Sequence, residues 1–326
     1  MIKKIALFAA GSILIAASIA FTLIVSDPPK DLSETDAEGG LEFASVIARG
    51  ISEVPDPKGF QMADGWQMPV RRYGQKDTSK PLLIFIHGSG WLGIQFNRLA
   101  SRLSDQAYVV VPDLRGHGAS PERRGDVDYI GQMEDDIAVL IETERLPGQA
   151  VILAGHSSGG GLVTRFAGGE HGSKIDKAIL LAPFLKYNAP TTRENSGGWA
   201  HALTGRIIGL SMLNTVGITA LNHLTIIQFN MPEAVRSGEY GHLATLAYSY
   251  RLNEGYAPRT EYLEDVADLP EFSLIVGSDD EAFYANKYEE VMSAVTGKGS
   301  YHILPGEKHL SIVDAPETEA LIRDAL

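Results

Sequence analysis

The sequence predicts an α/β fold built on one mostly parallel sheet, and three features of the chain point to it. Short apolar runs of strand length alternate with segments of helix length, the pattern typical of a parallel sheet covered on both faces. A Gly-x-Ser-x-Gly turn directly follows one of these runs, and carboxylates and a histidine follow later ones. A chain of 326 residues with 44% hydrophobic residues can bury one such core together with an insertion.

The core is predicted to begin with a β-hairpin that leads into a buried strand. Residues 60–63 and 68–73 flank Asp64 and Gly65, a pair typical of tight turns. The apolar run 82–86 then predicts the first strand of the parallel sheet.

The Gly-His-Ser-Ser-Gly turn at residues 155–159 is the most informative motif. It stands between the apolar run 150–154, which indicates a short buried strand, and a stretch compatible with a helix. This order is the context of a nucleophile elbow, whose glycines leave room for a strained turn. Such a turn exposes the hydroxyl of Ser157 above the sheet and directs the backbone N–H of Ser158 at the same place.

A serine hydroxyl becomes a good nucleophile when a base takes its proton and an acid orients that base. The strand-like run 272–276 is followed by Gly-Ser-Asp-Asp-Glu, which includes Asp279 and Asp280. The last strand-like run leads into a loop that carries His309. Because the carboxyl ends of parallel strands lie at one edge of a sheet, we expect a Ser–Asp–His triad around Ser157.

Four motifs make the chain resemble the α/β-hydrolase superfamily from about Gly59 to the C-terminus. In chain order they are His-Gly-Ser-Gly at 87–90, Asp-Leu-Arg-Gly-His-Gly-Ala-Ser at 113–120, the turn at 155–159, and Gly277-x-x-Asp280 followed by His309. Within the superfamily the chain is most similar to the monoacylglycerol-lipase and lysophospholipase branch, also described as serine-aminopeptidase-like. The resemblance implies an α/β-hydrolase fold, with a mostly parallel central sheet, helices on both faces and a helical lid insertion.

The resemblance also implies roles for individual residues. It favours Asp280 over Asp279 as the triad acid, because the acid of the family is usually the third residue after the glycine. Asp279 stays open as the alternative. The backbone N–H groups of Ser89 and Ser158 are expected to form the oxyanion hole.

Three further side chains near these motifs have other interpretations. Trp91 follows the 87–90 loop and is a candidate for the substrate pocket, although an aromatic side chain there equally fits simple packing. His117 belongs to the 113–120 turn, and His156 is fixed inside the 155–159 turn. We interpret both histidines as structural rather than as the base.

Residues 186–270 are predicted to form the lid insertion. About 85 residues separate the flanking strands, too many for a single crossover helix. The stretch 207–231 has no charged side chain, and its polar residues, Gly209 and Gly217 favour a lid over a second membrane span. Its apolar residues recur near helical spacing at Ile207, Leu210, Leu213, Leu221 and Leu224.

Residues 1–26 are predicted to be an N-terminal signal anchor or signal peptide. Lys3 and Lys4 precede an uncharged run from Ile5 to Val25, about 20 residues and long enough to cross a bilayer core. This run exceeds the apolar region of a typical cleaved signal, which favours an uncleaved anchor. The lysines then place the catalytic domain outside the cytoplasm, anchored to the membrane by one N-terminal helix. The alternative is secretion after cleavage of the signal.

The remaining boundaries follow from composition. Residues 27–58 are acidic and contain Gly and Ser, which predicts a flexible tether. The hydrolase core is expected over 59–185 and 271–326, on either side of the lid.

Charge and residue usage exclude several classes of partner. A formal net charge of −13 with only short basic clusters argues against nucleic acid. The chain has no cysteine, and its histidines lack the spacing of metal ligands, so no metal site is predicted. No cofactor is expected, because a Ser-His-Asp triad transfers acyl groups without one.

The sequence therefore predicts a serine hydrolase that cleaves carboxylic esters, with a small-molecule or lipid-like substrate whose acyl part is hydrophobic. A serine aminopeptidase-like peptidase and a C–C bond hydrolase stay open as alternatives. The peptidase would need acidic lid residues, such as Glu194, Glu233 and Glu239, to hold a free amine. A non-catalytic binding module on the same fold is the alternative from another class, and the presence of Ser157 and His309 disfavours it.

Overall fold

The structure is a computed structural model that describes residues 15–31, 40–44, 50, 53–119 and 121–326. The strands, in chain order, are β1 Lys58–Gln61, β2 Gln67–Tyr73, β3 Leu82–Ile86, β4 Tyr108–Pro112, β5 Val151–His156, β6 Lys177–Leu181, β7 Ala200–Ala202, β8 Thr225–Phe229, β9 Ala247–Ser249, β10 Glu271–Gly277 and β11 Gly299–Leu304. The α-helices after β3, in chain order, are α1 Asn97–Leu103, α2 Gln132–Glu144, α3 Ser158–Ala167, α4 Thr204–Asn214, α5 Glu233–Arg236, α6 Tyr250–Gly255, α7 Tyr262–Ala267, α8 Tyr288–Met292 and α9 Pro316–Ala325. Residues 15–26 are also helical and are called the N-terminal helix below.

One eight-stranded sheet forms the core, in the order β1-β2-β4-β3-β5-β6-β10-β11. The β1–β2 hairpin and the β2–β4 pair are antiparallel, and every other neighbouring pair in this sheet is parallel. Alternate residues of β3 belong to different apolar clusters, Leu82 and Ile84 to one and Leu83 and Phe85 to the other. Both faces of the sheet are therefore covered, which confirms the predicted α/β fold.

Residues 186–270, which lie between β6 and β10 and are called the insertion below, contain a second sheet in addition to helices. Its strands pair antiparallel in the order β7-β8-β9. The helical spacing that includes Leu221 and Leu224 is misleading, because α4 ends at Asn214. Gly217 has a φ of 79°, which suits the end of a helix, and the β-branched residues of β8 then favour a strand.

The N-terminal helix packs against α4 of the insertion. Its residues Ala20 and Ile24 are buried in an apolar cluster with Leu210. A Cβ atom at Gly209 would lie 2.5 Å from the carbonyl oxygen of Ala20. The glycine is therefore what allows the two helices to approach so closely.

The predicted membrane anchor lies only partly within the described residues, since residues 1–14 fall outside them. Across the ranges that the structure describes, no helix combines the length and the apolar character needed to cross a membrane. The anchor therefore stays a prediction.

A buried ion pair on the antiparallel side of the sheet holds β2, the segment after β4 and the loop before α1 together. Nη1 of Arg71 on β2 lies 2.8 Å from Oδ1 of Asp113, which follows β4. The same carboxylate oxygen accepts the N–H of Gly93 at 2.8 Å. Asp113 is the first residue of the 113–120 turn, so this motif ties three segments of the core together.

Replacing Asp113 with alanine is expected to lower the free energy of unfolding by about 3–5 kcal/mol, because Arg71 would stay buried without a counter-charge. The control is Glu233→Ala, which breaks a surface pair with Arg236 and should cost less than about 1 kcal/mol. Chemical denaturation of both variants measures the difference. Equal effects would contradict a structural role for the buried pair.

Candidate active site

The turn between β5 and α3 holds Ser157 in a strained conformation. Ser157 has φ 55° and ψ −122°, which is unfavourable for a residue with a side chain. A Cβ atom at Gly155 would lie 2.3 Å from the carbonyl oxygen of Gly159, and one at Gly159 would lie 2.2 Å from that of Ile86. Neither position accepts a side chain. The N–H of Ser157 donates to the carbonyl of Leu181 on β6, which fixes the turn to the sheet.

His309 and Asp280 form a buried pair at the same edge of the sheet. The ring atom Nδ1 of His309 lies 2.8 Å from Oδ2 of Asp280, and each residue is 1% exposed. The other carboxylate oxygen accepts the backbone N–H groups of Ala282 and Phe283, both at 2.8 Å. Asp279, in contrast, is exposed and accepts the hydroxyl of Ser278.

The electrostatics of this pair decide which nitrogen of His309 carries a proton. Burial alone would raise the pKa of Asp280, but His309 and the two backbone N–H donors outweigh it and hold that pKa below its usual value. The carboxylate is therefore ionised and only accepts hydrogen bonds. Nδ1 of His309 must be the donor, so a neutral ring has its lone pair on Nε2.

Two cavities meet at Ser157. The larger has a volume of about 290 Å³, and the smaller of about 50 Å³. Ser157, His309 and Ser89 line both cavities. Ser158 lines the smaller one and Trp91 the larger one, so all the predicted site residues except the buried Asp280 face this space.

The predicted oxyanion residues lie on two different elements. Ser158 is the first residue of α3, so its N–H belongs to the helix terminus, where backbone donors have no partner within the helix. Ser89 lies in the loop after β3, and its hydroxyl accepts the indole N–H of Trp199 at 3.1 Å. Both elements therefore reach the cavities that Ser157 lines, and the oxyanion hole stays a prediction.

Side chains of the insertion and of the 113–120 turn hold the loop that contains Ser89. The N–H of Gly90 donates to the hydroxyl oxygen of Tyr248 at 2.7 Å, and that hydroxyl lies 2.7 Å from Nε2 of His117. Burial keeps the pKa of His117 well below its usual value, so the ring is neutral. Its Nδ1 then donates to the carbonyl of Arg115, and Nε2 accepts the proton of Tyr248. One arrangement of protons therefore satisfies all the hydrogen bonds from Gly90 through Tyr248 and His117 to Arg115.

His156 supports the loop of His309 rather than acting as a second base. Its Nε2 lies 2.9 Å from the carbonyl oxygen of His309, and its Nδ1 lies 2.6 Å from Nε2 of Gln95. Burial lowers the pKa of His156 to about 3, so the ring is neutral and both of its nitrogens are occupied. Gln95 in turn accepts the N–H of Gly88 and so connects the two loops.

Sequence reasoning missed four side chains that hold the site, which are Gln95, Trp199, Tyr248 and Glu281. Glu281 accepts the backbone N–H of His309 at 2.9 Å. It was visible in the run after β10 as a carboxylate beside the predicted acid, which is a usable signal. The other three have no local motif, because their contacts arise only when distant segments fold together.

Among the known proteins that this chain is similar to are a curated mycobacterial relative and two solved structures of lipases. An uncharacterized protein of Mycobacterium tuberculosis is 28% identical over 229 residues, which cover 62% of this chain and 62% of the relative. The chain thus matches less than two thirds of that relative's length. A soluble variant of monoglyceride lipase from Saccharomyces cerevisiae has a TM-score of 0.62 at 17% identity, covering 84% of this chain and 93% of its own.

The second solved structure is a bacterial membrane phospholipase A. It has a TM-score of 0.58 at 18% identity and covers 99% of this chain and 97% of its own. At such identities both solved structures are evidence of a shared fold alone.

A family model described as serine aminopeptidase, S33, matches residues 77–315, well over half of the chain. The matched region contains the loop of Ser89, the turn of Ser157 and the Asp280–His309 pair. The match confirms the resemblance to the serine-aminopeptidase-like branch of the α/β-hydrolases. The chain belongs to this family of hydrolases.

Proposed function

We propose that the protein is a serine hydrolase that cleaves carboxylic esters with a hydrophobic acyl part. The observation that carries this proposal is the buried His309–Asp280 pair, which lies at one apolar cavity with a strained Ser157. Ser157 supplies the nucleophilic hydroxyl, His309 the base and Asp280 the acid that acyl transfer by a triad requires.

The first half of the reaction acylates the serine. Nε2 of His309 takes the proton of the Ser157 hydroxyl while the oxygen attacks the ester carbonyl. Asp280 keeps the ring in the required tautomer and stabilises the imidazolium that forms. The N–H groups of Ser89 and Ser158 stabilise the tetrahedral oxyanion, and each such donor is typically worth about 3–4 kcal/mol of barrier.

The second half of the reaction releases the acid. It begins once the imidazolium of His309 has given its proton to the departing alkoxide, so that the alcohol has left and Ser157 carries the acyl group. Water then loses a proton to Nε2 and attacks the acyl carbonyl. Collapse of the second tetrahedral intermediate returns the proton to Ser157 and frees the carboxylic acid.

The lining of the larger cavity favours an apolar substrate. Its apolar lining residues include Trp91, Ile94, Trp199, Met231, Val235 and Leu310. Most of the lining surface is apolar, which favours binding of an alkyl or acyl chain. Two structural relatives carry the names monoglyceride lipase and membrane phospholipase A, which also fits a lipid-like ester.

A serine aminopeptidase is the second candidate function. It fits the family description, and Glu239 lines the larger cavity, where a carboxylate would hold a free amine. Of the three acidic residues considered for this role, Glu194 and Glu233 do not line that cavity.

The wild-type protein is expected to react with a fluorophosphonate probe and to hydrolyse p-nitrophenyl esters. Rates should rise from acetyl to medium-chain esters by up to about fourfold per methylene, until the cavity is full. Ser157→Ala should abolish labelling and hydrolysis. Ser158→Ala is the control, because it keeps the backbone N–H and should keep most of the activity. Labelling that survives Ser157→Ala, or faster cleavage of aminoacyl anilides than of esters, would contradict the proposal.

If Asp280 orients His309, Asp280→Asn should lower kcat by on the order of 10⁴-fold, because the amide favours the wrong tautomer of the ring. Asp279→Asn, the neighbouring control, should leave kcat nearly unchanged. Steady-state kinetics on one ester compares the two variants. The reverse pattern would make Asp279 the acid.

We also propose that the N-terminal segment anchors the protein in a membrane, with the catalytic domain outside the cytoplasm. The run from Ile5 to Val25 is uncharged, and the described part of it exposes Ile15, Ile19 and Phe21. Exposed apolar side chains of this size are typical of contact with lipid or with another apolar surface.

Cell fractionation tests the membrane anchor. The full chain, expressed in a bacterial host, should stay in the membrane fraction after a high-salt wash and be digested by protease added to spheroplasts. Removal of residues 1–26 should release it from the membrane. A mature chain that begins after the apolar run would show instead that the segment is a cleaved signal.

A further inference from the structure

Residues 40–44, called the strap below, precede the region matched by the family model but lie at the candidate active site. Leu41 and Phe43 line the same cavity as Ser157 and His309. Both side chains are half-buried and pack against the main apolar core. A segment outside the family region therefore supplies part of the wall of the cavity.

The strap packs against Trp199, which contacts the loop at residues 87–90 that contains Ser89, called the oxyanion loop below. The ring centroids of Phe43 and Trp199 are 5.7 Å apart. Gly40 has a φ of 102°, and a Cβ atom there would contact the backbone of Trp199 at 3.7 Å. Since the indole N–H of Trp199 donates to the hydroxyl of Ser89, only one side chain separates the strap from the oxyanion loop.

One carboxylate ties the strap to the loop of the candidate base. Oε1 of Glu281 accepts the backbone N–H of Glu42 at 2.9 Å, and Oε2 accepts the backbone N–H of His309 at 2.9 Å. Hydrogen bonds to an ionised acceptor are the stronger kind. The position of the strap is thus fixed relative to His309 by two bonds on a single side chain.

Nearer the N-terminus, Asp27 and Lys30 are also held on the insertion. Oδ2 of Asp27 accepts the N–H of Gly205 at 2.8 Å. The side-chain amide of Gln228 both accepts the N–H of Lys30 and donates to its carbonyl, each at 2.8 Å.

We propose that the strap determines substrate specificity, with Leu41 and Phe43 in contact with the apolar chain of the ester beyond its first few carbons. This rests on the proposed ester hydrolysis at Ser157. An acetyl group is too short to need the strap, whereas a longer chain buries its methylenes against the two side chains. Contacts made only by longer substrates raise kcat/KM for those substrates alone.

The test compares Leu41→Ala, Phe43→Ala and the double variant with the full-length wild-type protein in detergent, over p-nitrophenyl esters from acetyl to dodecanoyl. The matched control is Phe21→Ala, the same change at an exposed position of the N-terminal helix. Phe43→Ala should lower kcat/KM for long esters by about tenfold or more and leave the acetyl ester within about twofold. Phe21→Ala should match the wild type on every ester.

Fluorophosphonate labelling of Ser157 separates the possible failures. If the wild type is neither labelled nor active on any ester, the proposed function fails and the role of the strap fails with it. If labelling is normal but Phe43→Ala changes all esters equally, or none, the strap proposal alone is overturned. Phe43→Leu covers the case in which the alanine variant is unstable, because it keeps an apolar side chain and should give a smaller loss confined to the long esters.

Discussion

The backbone at Ser157 is the constraint on which the rest of the site depends. Its positive φ persists because hydrogen bonds hold the residue on both sides, with its N–H bonded to the carbonyl of Leu181 and its carbonyl accepting the N–H of Phe184. The absence of side chains at Gly155 and Gly159 lets α3 start directly against β3 and β5. The strained turn therefore places a hydroxyl and a helix terminus at one point, which a relaxed turn would not do.

Around this turn, buried neutral histidines act as rigid hydrogen-bonding links between loops. Burial lowers the pKa of His87 to about 4, and its ring joins the carbonyl of Gly88 to the N–H of Leu114. His117 and His156 make similar links elsewhere in the site. Because these three rings stay uncharged, Asp280 is left as the ionised partner of His309, and its field acts on that ring without competition from neighbouring imidazolium ions.

The core was predictable from the sequence because its signals are local. A parallel strand buried on both faces is a continuous apolar run, so the apolar run 82–86 predicts β3 at its full extent. The order of motifs along the chain predicts that a carboxylate pairs with His309, and the family resemblance favours Asp280 over Asp279. Gln95, Trp199 and Tyr248 have no local signal, because their roles depend on contacts between distant segments. The helical spacing at Leu221 wrongly predicts a helix there, because a periodic pattern carries no information about the turn at Gly217.

Three parts of the chain form the walls of the larger cavity. Trp91 belongs to the hydrolase core, Trp199 and Met231 to the insertion, and Phe43 to the strap. The hydrogen bonds that hold the backbone of Ser157 come from the core, so changes in the other two parts alter the shape of the cavity at less cost to that turn. That freedom is limited at Trp199, because its indole also bonds to the hydroxyl of Ser89. A substitution there changes the cavity wall and the support of the oxyanion loop together, whereas one at Phe43 reaches that loop only through the tryptophan.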